Sequence, residues 1–318
     1  MGKVILDVDT GTDDAVAIMF AALHPDLDLV AVTTVNGNAP LATTTDNTLR
    51  VLDHIGSDVP VYAGLAGPIA RRGLPGPLHF QQGSENDMHG GPLPLPQATS
   101  TAQPVGAVEF LVETLRSTTE QITLVPVGPL SNIATALAID PSIRDAVAQV
   151  VIMGGAHDYG NVTPSAEFNI WIDPEAAHMV LSAGFEHLTL VTLDATHQAL
   201  VTRADCDALT AIDTPASRAA SALITRRIEA YSANHGAPVD QTAPVHDAVC
   251  TAYLVDPAVV TTRYLHVSVE TTGPLTVGRT VVDTRPNAVM APNAHVAFTA
   301  DRDRFVNLLT TVLSRRSG

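Results

Sequence analysis

The feature that most constrains the fold is a regular alternation of short apolar runs with stretches of helical pattern. The runs are rich in Val, Ile and Leu, which is typical of strands buried on both faces of a parallel sheet. They occupy residues 3–9, 27–35, 59–64, 121–128, 148–155 and 187–194. Helical stretches begin at Asp, Pro or Ser and lie at 13–24, 40–55, 104–117, 130–139 and 173–183. This order predicts an α/β fold with a doubly wound, mainly parallel open sheet and helices on both faces.

Three later segments depart from this rhythm. Residues 64–100 are rich in Gly and Pro, and a loop of that length inside a compact domain is usually functional. Residues 200–257 predict consecutive helices, and residues 263–299 contain further strand-like runs before a closing helix. No internal repeat interrupts the chain, and 46% of its 318 residues are hydrophobic. We therefore expect a single domain over residues 1–318.

Charge and composition limit the classes of partner. The 33 acidic residues outnumber the 17 basic ones, so the surface should repel nucleic acid polymers and favour small neutral or cationic ligands. No apolar run approaches the length of a membrane span, and the first residues lack the pattern of an export signal. Cys206 and Cys250 have no metal-type spacing. We expect a cytoplasmic protein with reduced thiols and no membrane association.

Four aspartates crowd the end of the first predicted strand, at Asp7, Asp9, Asp13 and Asp14. Like charges this close raise one another's pKa, so something must neutralise them. Asp13 and Asp14 alone could serve a helix N-terminus, but an unpaired carboxylate on an apolar strand is costly. Ligands of open α/β sheets bind beyond the carboxyl ends of the strands, and oxygen ligands suit Ca²⁺ or Mg²⁺ rather than zinc. The stretch therefore predicts a site for a hard cation.

Two other interpretations of this stretch are weaker. An EF-hand loop counted from Asp7 needs an oxygen side chain, a glycine and a glutamate where the chain has Gly11, Thr12 and Ile18. A phosphatase of the haloacid-dehalogenase type also begins with a strand that ends in D-x-D. That family generally uses a later basic residue for the phosphoryl group, and the only lysine of this chain precedes the motif.

Five ordered segments resemble the nucleoside hydrolases. "DVDTGTDDA" is similar to their D-x-D-P-G-x-D-D-A signature, with Thr10 in place of the usual proline. The later segments are "TTVNGN" (33–38), "LVPVGPLSNIATAL" (124–137), "VIMGGAHDYGNVTPSAEFNIWIDPEAA" (151–177) and "PVHDAV" (244–249). The resemblance implies Ca²⁺-dependent hydrolysis of the N-glycosidic bond of purine or pyrimidine ribonucleosides to free base and ribose. An activated water would attack through an oxocarbenium-like transition state.

The resemblance also implies roles for particular residues. The Ca²⁺ ligands would be the side chains of Asp9, Asp14 and Asp247 and the carbonyl of Val127. Asp9 would also be the general base, and Asp7 would support it by orienting Asp9 or Asn38.

Substrate contacts follow from the same resemblance. Asp13 and Asn169 would hold the 2′- and 3′-hydroxyls, and Asn161 and Glu167 would hold the 5′-hydroxyl. His246 would donate a proton to the leaving base. The remaining predicted substrate contacts are Asn38, Met153, His89 and Tyr231. His89 lies in an atypical "HGGPLPLP" segment, and Tyr231 could equally be a core residue.

Two rival functions remain open from the sequence. One is the phosphatase described above, and the other is a homologue that binds a nucleoside or sugar without turning it over. The presence of both Asp9 and His246 favours catalysis, since binding alone needs neither a base nor an acid. The resemblance further implies a homodimer or homotetramer, and broad or pyrimidine-leaning base specificity.

Overall fold

The computed structural model describes residues 2–71, 91–235 and 241–316. The strands in these ranges are β1 (Gly2–Val8), β2 (Leu27–Thr34), β3 (Val61–Ala63), β4 (Ile122–Pro126), β5 (Val147–Met153), β6 (Leu188–Val191), β7 (Leu200–Thr202), β8 (Thr242–Pro244), β9 (Val260–Val269), β10 (Thr280–Asp283) and β11 (Ala294–Ala300). The helices are α1 (Thr12–Leu23), α2 (Leu41–Ile55), α3 (Ala107–Ser117), α4 (Ser131–Ile139), α5 (Phe168–Ile172), α6 (Pro174–Leu181), α7 (Leu193–Thr196), α8 (Arg203–Ile212), α9 (Pro215–His235), α10 (His246–Val255) and α11 (Arg302–Leu313).

Nine strands form one sheet in the order β10-β9-β11-β6-β5-β4-β1-β2-β3. The strands from β3 to β6, and β11 beside β6, run parallel to their neighbours, while β9 is antiparallel to both β10 and β11. The chain winds outward from β1 in both directions, first through β2 and β3 and then through β4, β5 and β6. The sheet therefore reverses its winding between β1 and β4, where open α/β folds place their ligands.

Helices cover both faces of this sheet, as the sequence predicts. Alternate residues of β1 face opposite layers, so that Val4, Leu6 and Val8 join one core and Ile5 joins the other. The first core contains side chains of α1, α9, α10 and α11. The second contains side chains of α3, α4 and α6. The prediction of a doubly wound, mainly parallel open sheet is confirmed.

Two expectations for the second half of the chain are wrong in detail. Residues 200–257 are not helices alone, because β7 and β8 pair there as an antiparallel ribbon before α10 begins. The apolar run at 275–283 forms a strand only from Thr280, and the preceding residues form turns. The strand cannot begin earlier because Gly278 has a φ of +82°, a left-handed conformation that a regular strand does not contain. None of the helices in the described ranges is both long and apolar enough to cross a membrane.

The turn at Gly278 should be a sensitive point of the fold. A Cβ on Gly278 would lie 2.8 Å from Trp171 Cα, whereas one on Gly56 (φ +71°) would meet nothing within 4 Å. Both Gly→Ala changes strain a left-handed residue, but only Gly278→Ala also forces backbone apart. We expect it to lower the free energy of unfolding by about 1–3 kcal/mol more than Gly56→Ala does. Urea unfolding of the two variants checks this, and equal losses would contradict it.

Candidate active site

Several of the residues that the sequence singled out lie around the crevice between β1 and β4. Asp9 directly follows β1, Val127 directly follows β4, and α1 begins three residues after Asp9. Asp247 reaches the same crevice from the first turn of α10. Because parallel strands present their carboxyl ends at one edge, segments far apart in the chain meet here.

Two glycines make room for the Asp9 carboxylate. A Cβ on Gly37 would overlap Asp9 Oδ2, and a Cβ on Gly128 would lie 2.7 Å from Asp9 Oδ1. The backbone N–H of Asn38 donates to Asp9 Oδ2 at 2.7 Å. These contacts explain why "TTVNGN" and "VPVGP" each carry a glycine after their strand. They hold the carboxylate in one orientation in the crevice.

Asp14 ties the β1–α1 turn together. Its Oδ1 accepts from the backbone N–H of Asp9 at 3.1 Å, and its Oδ2 accepts from that of Gly11 at 2.9 Å. The side chain of Asn38 also donates to Oδ2, at 3.2 Å. Asp14 thus performs the capping role that its place in the first helical turn suggests, and it does so inside the site.

Three carboxylates in the crevice are close enough to share a cation. Asp13, Asp14 and Asp247 are all buried, and each offers an oxygen within 4.8 Å of the others. Burial, followed by the charge of Asp13, raises the pKa of Asp14 to about 6. Burial also raises the pKa of Asp9 and of Asp247 well above the ordinary value, and neighbouring carboxylates add to both shifts.

These residues fit a hard divalent cation. Four aspartates line the crevice: Asp9, Asp13, Asp14 and Asp247. Each of these residues is at most 4% exposed, so water cannot compensate the charge of its carboxylate. Their donor atoms are all oxygens, which is the set that Ca²⁺ prefers. The group that the structure draws closest together contains Asp13 in addition to the predicted ligands Asp14 and Asp247. The ligand roles of Asp9, Asp14, Asp247 and Val127 remain predictions.

Arg227 of α9 lies against this acidic cluster, and the sequence interpretation assigned it no role. Its guanidinium is 2% exposed and forms an ion pair with Asp13, with Arg227 Nη2 and Asp13 Oδ2 2.9 Å apart. The sequence did contain a sign of its position, because Arg227 lies four residues before the predicted substrate contact Tyr231 and so shares its face of α9. One guanidinium offsets at most one of the four carboxylates.

Asp7 has different partners from those expected. Its Oδ1 accepts from Thr33 Oγ1 at 2.6 Å and from Asn132 Nδ2 at 2.7 Å, rather than orienting Asp9 or Asn38. Oδ2 is buried and has no hydrogen-bond partner among the residues that the structure describes. Burial, only partly offset by the two hydrogen bonds, raises the pKa of Asp7 to about 7. Asn132 lies in the motif at 124–137, but the sequence gives it no role, because a contact between residues 125 positions apart cannot be seen in the sequence.

Asn169 joins the ends of β4 and β5. Its Nδ2 donates to the carbonyl of Val127 at 2.8 Å and to that of Met153 at 3.2 Å. It therefore lies beside the carbonyl that was predicted as a cation ligand. Asn169 and Met153 are both buried, and their predicted contacts with the substrate stay predictions.

Glu167 and Asn161 shape the loop before α5. The carboxylate of Glu167 caps that helix, accepting from the backbone N–H of Asn169, and also accepts from Gly155, at 2.9 Å in each case. Asn161 is exposed, and its side-chain oxygen accepts from the N–H of Phe168 at 3.0 Å. These are the turn and capping contacts that such residues commonly make. Their contact with the 5′-hydroxyl stays a prediction.

His246 begins α10 next to Asp247 and is held at both ring nitrogens. Thr196 Oγ1 lies 2.6 Å from Nδ1, and the hydroxyl of Tyr231 lies 3.3 Å from Nε2. The ring of His197 packs edge-on against it, with centroids 5.4 Å apart. Tyr231 therefore contacts His246 and also packs against the first core, and its contact with the substrate stays a prediction. The sequence gives no role to Thr196, which lies in the short helix α7 after β6 and meets His246 only through a contact across 50 residues.

The predicted contact His89 lies outside the described residues. The stem of its loop is fixed to α6, because the backbone N–H of Ile69 donates to Asp173 at 2.8 Å and Arg71 forms an ion pair with Glu175. The described parts of the segment 64–100 are irregular, as predicted.

Comparison with known proteins identifies the family of this chain. The sequence profile of the inosine-uridine preferring nucleoside hydrolases matches residues 4–307. The pyrimidine-specific ribonucleoside hydrolase RihB of Escherichia coli (strain K12) is 39% identical over 308 residues, which covers 96% of this chain and 95% of that protein.

Solved structures show the same relationship. A purine-preferring ribonucleoside hydrolase from Gardnerella vaginalis has a TM-score of 0.88 and 31% identity, covering 98% of both chains. A plant nucleoside hydrolase, PpNRh1, has a TM-score of 0.85 and 29% identity, covering 98% of this chain and 99% of that one.

The chain belongs to the inosine-uridine preferring nucleoside hydrolase family. It is a ribonucleoside hydrolase, an N-ribohydrolase of the glycosidase class that acts in nucleoside catabolism. Nothing in the comparisons supports the phosphatase interpretation.

The raised pKa of Asp7 predicts a pH-dependent effect of Asp7→Asn. The folded carboxyl titrates near pH 7 and the unfolded one near pH 4, so the folded wild type binds more protons between these values. Its stability therefore falls as pH rises through this window, whereas asparagine does not titrate. Relative to wild type, the free energy of unfolding of Asp7→Asn should rise by about 2–4 kcal/mol from pH 4 to pH 7.5. Urea unfolding with chelator at several pH values measures it, and a constant difference would contradict it.

Proposed function

We propose that the chain is a Ca²⁺-dependent ribonucleoside hydrolase in which the crevice between β1 and β4 binds both the cation and the ribose. The observation that carries this proposal is the group of buried carboxylates at the switch point of the sheet, with oxygens of Asp13, Asp14 and Asp247 within 4.8 Å of one another. Such a group is costly unless a cation neutralises it. Asp9, Asp14, Asp247 and the carbonyl of Val127 would hold the calcium ion.

Asp9 is the proposed general base. A bound calcium ion would supply electrostatic activation of the attacking water. The carboxylate of Asp9 is held by Asn38 and cradled by two glycines, so it can accept the proton of that water without reorganising. Burial and the charge of Asp14 raise the pKa of Asp9, and a bound cation would lower it again by favouring the charged carboxylate. The water then attacks C1′ of the ribose.

The remaining carboxylates suit the transition state. Glycosidic cleavage builds positive charge on the sugar ring, and buried carboxylates stabilise that charge more strongly than water does. Asp13 and Asn169 would hold the 2′- and 3′-hydroxyls, with Asn38 and Met153 beside them, and Asn161 and Glu167 would hold the 5′-hydroxyl. The ribose is a neutral polyol that needs many hydrogen-bond partners, and these acidic and amide side chains would supply them.

His246 is the proposed acid for the leaving base. Its Nδ1 faces Thr196 Oγ1 and its Nε2 faces the Tyr231 hydroxyl, so the two side chains fix the plane of the ring. A histidine can hold and release a proton near pH 7. Tyr231, whose hydroxyl lies beside Nε2 of His246, would contact the base.

Pyrimidine ribonucleosides are the proposed preferred substrates. The support is the 39% identity to a relative named pyrimidine-specific, against 31% to a structure named purine-preferring. We further propose a cytoplasmic homodimer or homotetramer, as the family resemblance implies.

The first test is product formation from uridine, cytidine, inosine and a phosphate monoester, with and without a chelator. Free base and ribose should form from the nucleosides, and the chelator should abolish this. Asp9→Asn keeps the shape of the side chain and should lower kcat by at least about a thousandfold. Asp26→Asn, an exposed control, should leave it unchanged. Release of phosphate alone, or no product from any nucleoside, would refute the proposal.

A second test concerns the leaving group. His246→Ala should slow uridine hydrolysis by about 10²–10⁴-fold, because the departing base then lacks a proton donor. It should leave 4-nitrophenyl riboside almost unaffected, because nitrophenolate departs without protonation. Exposed His178 provides the control His178→Ala. Equal loss on both substrates would argue against the acid role.

A further inference from the structure

Arg227 is a buried guanidinium that joins three parts of the site. Nε donates to the carbonyl of Pro244 at 2.6 Å, and Nη1 donates to Thr12 Oγ1 at 3.2 Å. Nη2 forms the 2.9 Å ion pair with Asp13. The guanidinium also lies over the Tyr231 ring, 5.6 Å from its centroid. It thus connects α9 to the start of α1 and to the segment immediately before His246.

The ion pair between Arg227 and Asp13 bears on which carboxylates of the cluster bind the cation and which bind the ribose. By proximity alone, Asp13 could join Asp14 and Asp247 in one ligand set. A planar guanidinium with its other nitrogens anchored holds a carboxylate in a fixed direction, which a lysine would not do as well. Its positive charge also opposes the approach of a cation to the paired carboxylate.

We propose that Arg227 is a positioning residue that withholds Asp13 from the cation and directs it to a ribose hydroxyl. This inference rests on the proposed function, because it assumes that the crevice holds both a cation and a ribose. Arg227 would then contribute to the preference for ribose indirectly, by positioning Asp13.

Calcium affinity tests the first half of the inference. Isothermal titration with calcium alone should show Arg227→Met binding about tenfold more tightly than wild type, because the guanidinium no longer opposes the approach of the cation to Asp13. In Asp13→Asn/Arg227→Met the whole ion pair is neutralised, and affinity should fall by less than about tenfold. A larger fall in the double variant would show that Asp13 is a ligand. Unchanged or weaker binding by Arg227→Met would show that Arg227 does not compete with the cation.

Substrate discrimination tests the second half. Arg227→Met should raise KM for uridine by about tenfold with a smaller change in kcat, because one well-oriented hydrogen bond to the sugar is lost. The preference for uridine over 2′-deoxyuridine should shrink by a similar factor. A purely structural role would leave that preference unchanged, which would overturn the inference. Arg203→Met is the matched control, because Arg203 of α8 forms an exposed ion pair with Glu229 of α9, the helix that carries Arg227.

These measurements separate failure of the inference from failure of the proposed function. A wild-type protein that hydrolyses no nucleoside refutes the function, whereas the calcium titrations still test the relation of Arg227 to Asp13. If Arg227→Met does not fold, the double variant still tests the proposal, since proteins commonly tolerate replacement of a whole buried ion pair by neutral side chains.

Discussion

The burial of several carboxylates at one edge of the sheet is the constraint on which the site depends. Asp9, Asp13, Asp14 and Asp247 lie where water cannot compensate their charge. The protein partly offsets the cost with backbone N–H groups, with the amide of Asn38 and with the guanidinium of Arg227. The remaining negative charge would suit the proposed divalent cation and a sugar ring that becomes positive in the proposed reaction.

The rest of the fold keeps these carboxylates in register. Glycines after β2 and β4 let the backbone approach Asp9, and Asn132 reaches across from α4 to hold Asp7. Asn169 joins the carbonyls at the ends of β4 and β5, so the predicted sugar contact is tied to the predicted cation ligand Val127. The chemistry thus rests on loops that follow strands, while the strands and helices behind them form two apolar cores.

Much of the fold was predictable from the sequence because its signals are local. The apolar runs from β1 to β6 and the helices between them are set by residue type and period, and their bounds agree with the structure to within a few residues. The ribbon of β7 and β8 was not predictable in this way. Each of its strands has only three residues, and its pairing is decided by a contact across about forty positions.

The sequence by itself determined the α/β order, the acidic end of β1 and the family, because these depend on nearest neighbours and on ordered motifs. Only the tertiary structure decided which acids meet. It placed Asp247 beside Asp13 and Asp14, gave Asp7 to Thr33 and Asn132, and brought Arg227 from α9 into the cluster. A charge pattern along the chain carries no distances between remote segments. The folding of a parallel sheet, which gathers its strand ends at one edge, is what creates them.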